Sequence, residues 1–255
     1  MRYFLIGAII CLLPIFAIYA QTDRETWVKV SYIQLEADQI SSFLERVDDW
    51  QAIEQQYVDN GNIDAWRLYR VNYSSNRDQT YNFVSVRIST DLSSLQTTTR
   101  PNSGDLLQLL DRSPAKKYTT HSEIWSTQAN VYHETADPPS RYKNTNFMRA
   151  EPASLDQYLE LEIDIAKPLH QNQTDNNRMD GWNFYQLTFP TGTTVAYNFI
   201  TADYYNSIDQ IDMGITREVI EEVHPEMDVD EFEDFADSIR ERVWSDLWEV
   251  LEYAH

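Results

Sequence analysis

Hydrophobic and polar positions along the chain alternate with two periods, and the order in which the periods follow one another occurs twice. Val28, Val30 and Tyr32 are separated by polar residues, the two-residue period of a strand that buries one face. Ile40, Phe43, Leu44, Val47, Trp50, Tyr57 and Val58, with Glu54 among them, recur mainly at three- and four-residue steps and predict a helix. Residues 66–73 and 81–88 read as a hairpin around Ser74-Ser75-Asn76-Arg77-Asp78. Residues 106–110 predict a second helix, and 123–133 alternate again as a last strand. The first half therefore reads β-α-β-β-α-β.

The second half repeats this order and some of the residues. A shift of 116 superposes Gln55 on Gln171, Asp59 on Asp175, Asn60 on Asn176, Asp64 on Asp180, Trp66 on Trp182 and Tyr69 on Tyr185. It also sets Tyr81-Asn82-Phe83 on Tyr197-Asn198-Phe199. These are nine identities over residues 55–83, where about two arise by chance at ordinary residue frequencies. Upstream, a shift of 115 pairs Tyr32 with Phe147, Ile40 with Leu155, Phe43 with Tyr158 and Leu44 with Leu159. Downstream, a shift of 119 sets Trp125-Ser126 against Trp244-Ser245. In the second half Pro190-Thr191-Gly192 is the hairpin turn. Asp230 and Glu233 there have the form of a capping box, opening a helix with Phe232, Phe235, Ala236, Ile239 and Val243 on one side. The expected division is a first unit over 21–136, a linker over 137–140 and a second unit over 141–255 with an elaborated acidic helix.

A tandem pair of such units resembles a fused version of the dimeric α+β barrel superfamily, NIPSNAP-like and antibiotic-biosynthesis-monooxygenase-like families being the nearest in kind. The resemblance implies an α+β fold in which two ferredoxin-like repeats form a pseudo-dimeric barrel, with helices outside, a cavity between the sheets and no need for a second chain. It rests on element order and implies no activity by itself. Haem-binding members of the superfamily use a helical His, which points to His170, although Pro168 predicts a bend there and a structural or exposed imidazole is the simpler account. Cofactor-free monooxygenases of the fold combine Asn, Trp and His, and Asn82, Trp66 and His121 supply those types.

Strand parity assigns the faces. Val84, Val86 and Ile88, with Tyr69, Val71 and Tyr73, form one apolar face, expected under the helices. The opposite face carries Trp66, Leu68, Arg70, Tyr81, Phe83, Ser85 and Arg87, and in the second half Trp182, Phe184, Gln186, Tyr197, Phe199 and Thr201. Large aromatics mixed with polar groups suit the space between two sheets, since ligand cavities combine apolar walls with a few polar anchors. Trp66, Trp182, Tyr81, Tyr197, Arg70, Arg87 and Gln186 are therefore the candidate binding residues for a small apolar or aromatic ligand. The same residues serve equally as interface core, and a buried Arg87 would need an anionic partner such as Asp203. Three functions remain open: a secreted binding module, a cofactor-free monooxygenase or isomerase in the same cavity, and a structural or partner-binding protein with a filled core.

Composition narrows the setting. Residues 3–20 carry no charge, follow Arg2 and end in Ala20 before polar Gln21, the form of a secretory signal peptide. An uncleaved anchor is the alternative, because 18 apolar residues just suffice to span a bilayer. Cleavage would remove the only cysteine, Cys11, and Arg2, leaving 19 Lys+Arg against 41 Asp+Glu, a formal charge of −22. Such a chain repels nucleic acid and anionic membrane surfaces and has no thiolate chemistry, so a secreted or periplasmic location is expected. No metal site is expected either. His121, His133, His170, His224 and His255 show no metal-ligand spacing, and the acidic run from Glu221 to Asp234 lacks the glycine and terminal glutamate of a calcium loop. No nucleophile elbow, phosphate loop, zinc-protease motif or dinucleotide fingerprint occurs, and no cofactor is expected. Asn72-Tyr73-Ser74 and Asn172-Gln173-Thr174 fit the glycosylation pattern. N-terminal sequencing of exported material is expected to begin at Gln21; intact Met1 in a membrane fraction would contradict this.

Overall fold

In the computed structural model, residues 25–96, 117–192 and 194–255 are described. The helix expected at 106–110 and the signal segment at 1–20 lie outside them. From β1 (Trp27–Ile33) the chain passes through α1 (Ile40–Leu44) and α2 (Val47–Asp59), the hairpin β2 (Ala65–Ser74) and β3 (Phe83–Ser89), α3 (Leu92–Gln96) and β4 (Thr119–Asn130). The second half runs β5 (Tyr142–Arg149), α4 (Leu155–Glu160), a π-helical turn (Leu161–Ala166), α5 (Lys167–Asp175), β6 (Gly181–Phe189) and β7 (Phe199–Tyr205). It ends in α6 (Ile208–Ile211), α7 (Arg217–Val223), α8 (Val229–Ile239) and β8 (Glu241–Ala254).

Eight strands close into one antiparallel barrel in the order β1-β3-β2-β8-β5-β7-β6-β4. Each half contributes four neighbouring strands, β4-β1-β3-β2 and β8-β5-β7-β6, and the seams are β2 against β8 and β6 against β4. Closure leaves no unpaired strand edge. Cross-strand registers relate the halves. Trp66 faces Arg87 across β2 and β3, and 116 residues on Trp182 faces Asp203 across β6 and β7. Val28 faces Trp125, and Lys143 faces Trp248. The last strands therefore correspond at a shift of 123, not 119, and the shared wording is Ser122-Glu123-Ile124-Trp125 and Ser245-Asp246-Leu247-Trp248.

Four apolar clusters pack the described residues, the smallest of them Leu169, Val219, Ile220 and Val229 in the second-half helices. The barrel lumen holds Val28, Val30, Tyr32, Tyr69, Val84, Val86, Ile88, Trp125, Phe147, Tyr185, Tyr204 and Trp248, drawn from both halves. Outside, α1 and α2 cover Trp66, Leu68 and Phe83 with Phe43, Trp50 and Ile53. In the second half Tyr158, Leu161, Ala236 and Ile239 cover Trp182, Phe184 and Phe199. The expected faces are thus inverted: Trp66, Trp182 and Arg87 lie on the helix side, and the aliphatic face of β3 lines the lumen. The physical reason is that both faces of this sheet are buried, so alternation alone cannot tell inside from outside. Buried side chains of both halves occupy the space between the sheets where the cavity was expected.

Local differences have local causes. The predicted first helix breaks at Glu45 and Arg46 into α1 and α2. The cap of α8 is Asp228, whose side chain accepts from the backbone of Asp230 and Glu231, so the capping-box reading at Asp230 is two residues late. The π turn is a one-residue insertion before Pro168. It accounts for the change of shift from 115 to 116 within the helices, and it absorbs a proline that cannot donate to an α-helical ladder.

Trp66 is 0 % exposed, packs on Trp50 at 5.2 Å and donates from Nε1 to Ser85 Oγ at 2.9 Å. Trp66→Ala is expected to lower folding stability by about 3–5 kcal/mol in urea unfolding, since the large cavity under α2 cannot collapse.

Candidate functional site

The repeated Tyr-Asn-Phe triplets explain where the predicted aromatics go. Each precedes or opens the third strand of its half, where strict alternation has not yet begun. Asn82 clamps the end of β1 through Leu35, accepting from its N at 3.1 Å and donating to its O at 2.9 Å; Asn198 does the same to Ala150 at 3.0 and 2.9 Å. Phe83 and Phe199 turn under the helices. Tyr81 and Tyr197 turn into the lumen and reach across it, Tyr81 Oη donating to Asp246 Oδ2 on β8 and Tyr197 Oη to Glu123 Oε1 on β4, both at 2.5 Å.

Each of these carboxylates also takes an indole N–H two residues along its strand, Trp125 to Glu123 at 3.1 Å and Trp248 to Asp246 at 3.3 Å. Tyr32 adds a third donor to Glu123 at 2.8 Å. Burial raises the pKa of both acids and raises that of Tyr32, Tyr81 and Tyr197. A second lumen network joins Arg67 and Glu134 at 3.5 Å, with Asn183 and Tyr204 donating to Glu134 at 2.7 and 2.9 Å. Lys143 lies beside it among the rings of Tyr185, Tyr204 and Trp248, and burial lowers its pKa to about 8.

The remaining candidates do not converge there. Arg70 lies 5.8 Å from the Phe83 ring, Gln186 is half-buried on β6, and Arg87 pairs with Glu54 of α2, not with Asp203. Asn82, Trp66 and His121 are spread over three places: a backbone clamp, the helix side, and a stack on Tyr32 at 4.4 Å.

What the structure does bring together lies on the helix side, in two related places. In the first half Glu54 is buried, takes Trp50 Nε1 at 2.9 Å and receives Arg87 bidentately at 2.8 and 2.6 Å. The guanidinium also covers the Tyr57 ring at 4.9 Å. Moving 116 residues along, Trp50 becomes Ala166, Glu54 becomes His170 and Arg87 becomes Asp203, while Trp66 remains as Trp182. An indole and a guanidinium are lost, and a cleft of about 350 Å³ stands there, between the second-half helices and β5, β6 and β7.

Leu161, Leu169, Trp182, Ile220 and Phe232 supply its apolar walls. His170 stacks on Trp182 at 4.8 Å, and its buried Nδ1 has no hydrogen-bond partner among the described residues. Burial and then Arg240 push the imidazole pKa down to about 3, so the ring is neutral at physiological pH. Asp203 Oδ1 stands 4.0 Å from that nitrogen, and Oδ2 takes Asn144 and Asn146 at 3.1 and 3.3 Å. Burial raises Asp203 to about 6, the two amides opposing the shift. Glu162 is held by Arg240 at 2.8 Å.

A larger cleft of about 770 Å³ lies at strand ends around Asp64, Thr90, Asn130 and Glu134. Its Glu134 is already committed to Arg67, Asn183 and Tyr204, and Asp64 caps Thr90 N. Buried Thr127 Oγ1 has no partner among the described residues in the larger cleft, whereas the smaller cleft sets an unpartnered imidazole nitrogen beside a carboxylate at its base. Sequence reasoning singled out His170 and Trp182 but not Asp203 as its partner. Carrying the 116 shift through positions 50, 54 and 87 would have found the contrast.

The surroundings of His170 do not fit a haem. Four carboxylates, Glu162, Asp203, Glu233 and Asp237, line the cleft against Arg240 and Arg242, and Arg240 is engaged by Glu162. A porphyrin bearing its own carboxylates would meet a site of its own sign.

Known proteins share the architecture. The fold is similar to that of a "putative monooxygenase" from Lactobacillus acidophilus NCFM, at 7% identity and a TM-score of 0.55 over 90% of this chain and 95% of that one. A "putative monooxygenase" from Fusobacterium nucleatum gives 13% and 0.52 over 91% and 94%. A chlorite dismutase variant from Candidatus Nitrospira defluvii gives 9% and 0.50 over 89% and 91%. No known family profile matches the chain, and no curated protein matches it by sequence. The fold is that of the dimeric α+β barrel proteins. At these identities the likeness concerns the fold alone.

The Asp203 shift has a definite sign. The folded chain holds this proton up to about pH 6, whereas an ordinary aspartate releases it near 3.8. Across that window the folded state binds more protons, so the group lowers stability as pH rises. Asp203→Asn removes the penalty. Its stability relative to wild type is expected to increase between pH 4 and pH 6, by ~3 kcal/mol at most, and to stay level above, as measured by urea unfolding at each pH. His170 contributes an opposite slope below pH 6.5, present in both proteins and absent from their difference.

Proposed function

We propose that this protein binds a small molecule in the cleft between the helices of its second half and the outer face of its sheet. The observation that carries the reading is the contrast between the two related places. Trp50 and Arg87 fill the first, whereas Ala166 and Asp203 leave the second open above a neutral imidazole whose Nδ1 has no hydrogen-bond partner among the described residues. Buried polar groups without partners are rare and costly, and a ligand that satisfies them would be bound strongly. Apolar walls around a few polar anchors are the usual build of such sites. This moves the expected ligand from between the sheets to beneath the helices, with Trp182 the one residue of the original set that lines the cleft.

The strand order β4-β1-β3-β2 and β8-β5-β7-β6 favours two ferredoxin-like repeats over 21–136 and 141–255, either NIPSNAP-like or antibiotic-biosynthesis-monooxygenase-like in kind. The leader-like residues 1–20 favour export and a secreted or periplasmic location. An enzymatic role of the monooxygenase or isomerase type is favoured by one feature: Asp203, raised by burial to about 6, lies in the cleft beside the neutral His170, a carboxylate poised to take and return a proton.

Ala166→Trp copies the first half and should fill the cleft. Native mass spectrometry of protein purified from its source is expected to show a small bound mass on the wild type and its loss from Ala166→Trp, with circular dichroism unchanged. A ligand retained by the filled variant would place it elsewhere.

A further inference from the structure

Both halves carry a carboxylate and a large aromatic ring at the base of the helix-covered face, but only in the first half does a cation hydrogen-bond that carboxylate; in the second, Arg240 is bound to Glu162 and Arg242 acts on Asp203 only through its charge. There the Arg87 guanidinium, reaching over from β3, lies against Glu54 with Tyr57 beneath it. In the second half the residue at that strand position is itself an acid, Asp203, and the helix position opposite is the neutral His170. The aromatic floor is kept as Trp182. The first half thus shows, within the same chain, what this location accommodates once filled: a flat or compact cation on a short apolar stem.

We propose that the second-half cleft takes a small organic cation, a primary amine whose ammonium group sits between Asp203 Oδ1 and His170 Nδ1. The inference rests on the reading of this cleft as a ligand site and adds the chemical class of the ligand. The two acceptors stand 4.0 Å apart; His170 Nδ1 has no hydrogen-bond partner among the described residues, and both amide bonds to Asp203 go to Oδ2. One nitrogen at ordinary hydrogen-bond distance can reach both, and a neutral imidazole accepts at the nitrogen that carries no proton. The amide side chains of Asn144 and Asn146 fix the other carboxylate oxygen, so Asp203 presents Oδ1 to the cleft. The charge around the site agrees, with four carboxylates against two arginines, one of which is bound to Glu162. The apolar walls from Leu169, Ile220 and Phe232 suit the remainder of such a ligand.

The test uses the mature chain and three probes of one shape: benzylamine, benzyl alcohol and benzoate, each titrated calorimetrically at pH 7.5. Wild type is expected to bind benzylamine at least tenfold more tightly than benzyl alcohol, and benzoate most weakly. Asp203→Asn should bring benzylamine to the level of benzyl alcohol. The double variant His170→Glu/Asp203→Arg copies the ion pair of the first half. It should fold, as judged by circular dichroism, and lose benzylamine binding. Equal affinity for the amine and the alcohol, or an Asp203→Asn protein that keeps its preference for the amine, would overturn the inference while leaving the cleft a ligand site. Absence of binding by all three probes would also overturn it. The cleft reading itself is decided separately, by whether Ala166→Trp loses the co-purified mass.

Discussion

The lumen is organised by two buried carboxylates, each held by a tyrosine from the other half. Glu123 lies on β4 and is bound by Tyr197; Asp246 lies on β8 and is bound by Tyr81. A carboxylate in an apolar interior is strongly destabilising unless it is hydrogen-bonded, and here tyrosine hydroxyls and indole N–H groups donate to both oxygens of Glu123 and to Oδ2 of Asp246. Because one donor to each carboxylate, Tyr197 for Glu123 and Tyr81 for Asp246, comes from the opposite half, neither half by itself completes the hydrogen bonding of its own buried acid. The closed barrel, its filled lumen and the seams between β2 and β8 and between β4 and β6 are consistent parts of one solution.

A lumen committed in this way leaves the helix-covered outer faces as the places where chemistry can differ. There the halves diverge through a few side chains on a shared frame. Trp50, Glu54 and Arg87 make a dry, paired cluster, in which a guanidinium meets a carboxylate bidentately. Ala166, His170 and Asp203 occupy the related positions and leave space, a nitrogen unpartnered among the described residues and a carboxylate whose proton is held to about pH 6. The π turn next to Ala166 belongs to the same change, since it inserts one residue into the helix that carries His170. One half keeps a structural ion pair, and the other exposes the groups that such a pair would have satisfied.

What could be read in the sequence by itself was whatever depends on neighbours along the chain. The period-two and period-3.6 runs located most strands and the first helix, and the spacing of Trp66, Tyr81-Asn82-Phe83, Trp182 and Tyr197-Asn198-Phe199 related one half to the other. The repeated triplet was visible as a string, but its meaning was not. Asn82 holds a backbone 47 residues away, Tyr81 finds Asp246 across the lumen, and Phe83 goes under a helix. Only tertiary structure decided which face of each strand turned inward, because both faces meet apolar partners and alternation is silent about which partner is which. It likewise decided that β4 and β8 correspond through Ser122–Trp125 and Ser245–Trp248, a register set by pairing with β1 and β5 rather than by the nearest matching tryptophan. And it alone set His170 beside Asp203, since a helix and a strand 33 residues apart are brought to 4.0 Å by packing on Trp182, not by any local preference of either residue.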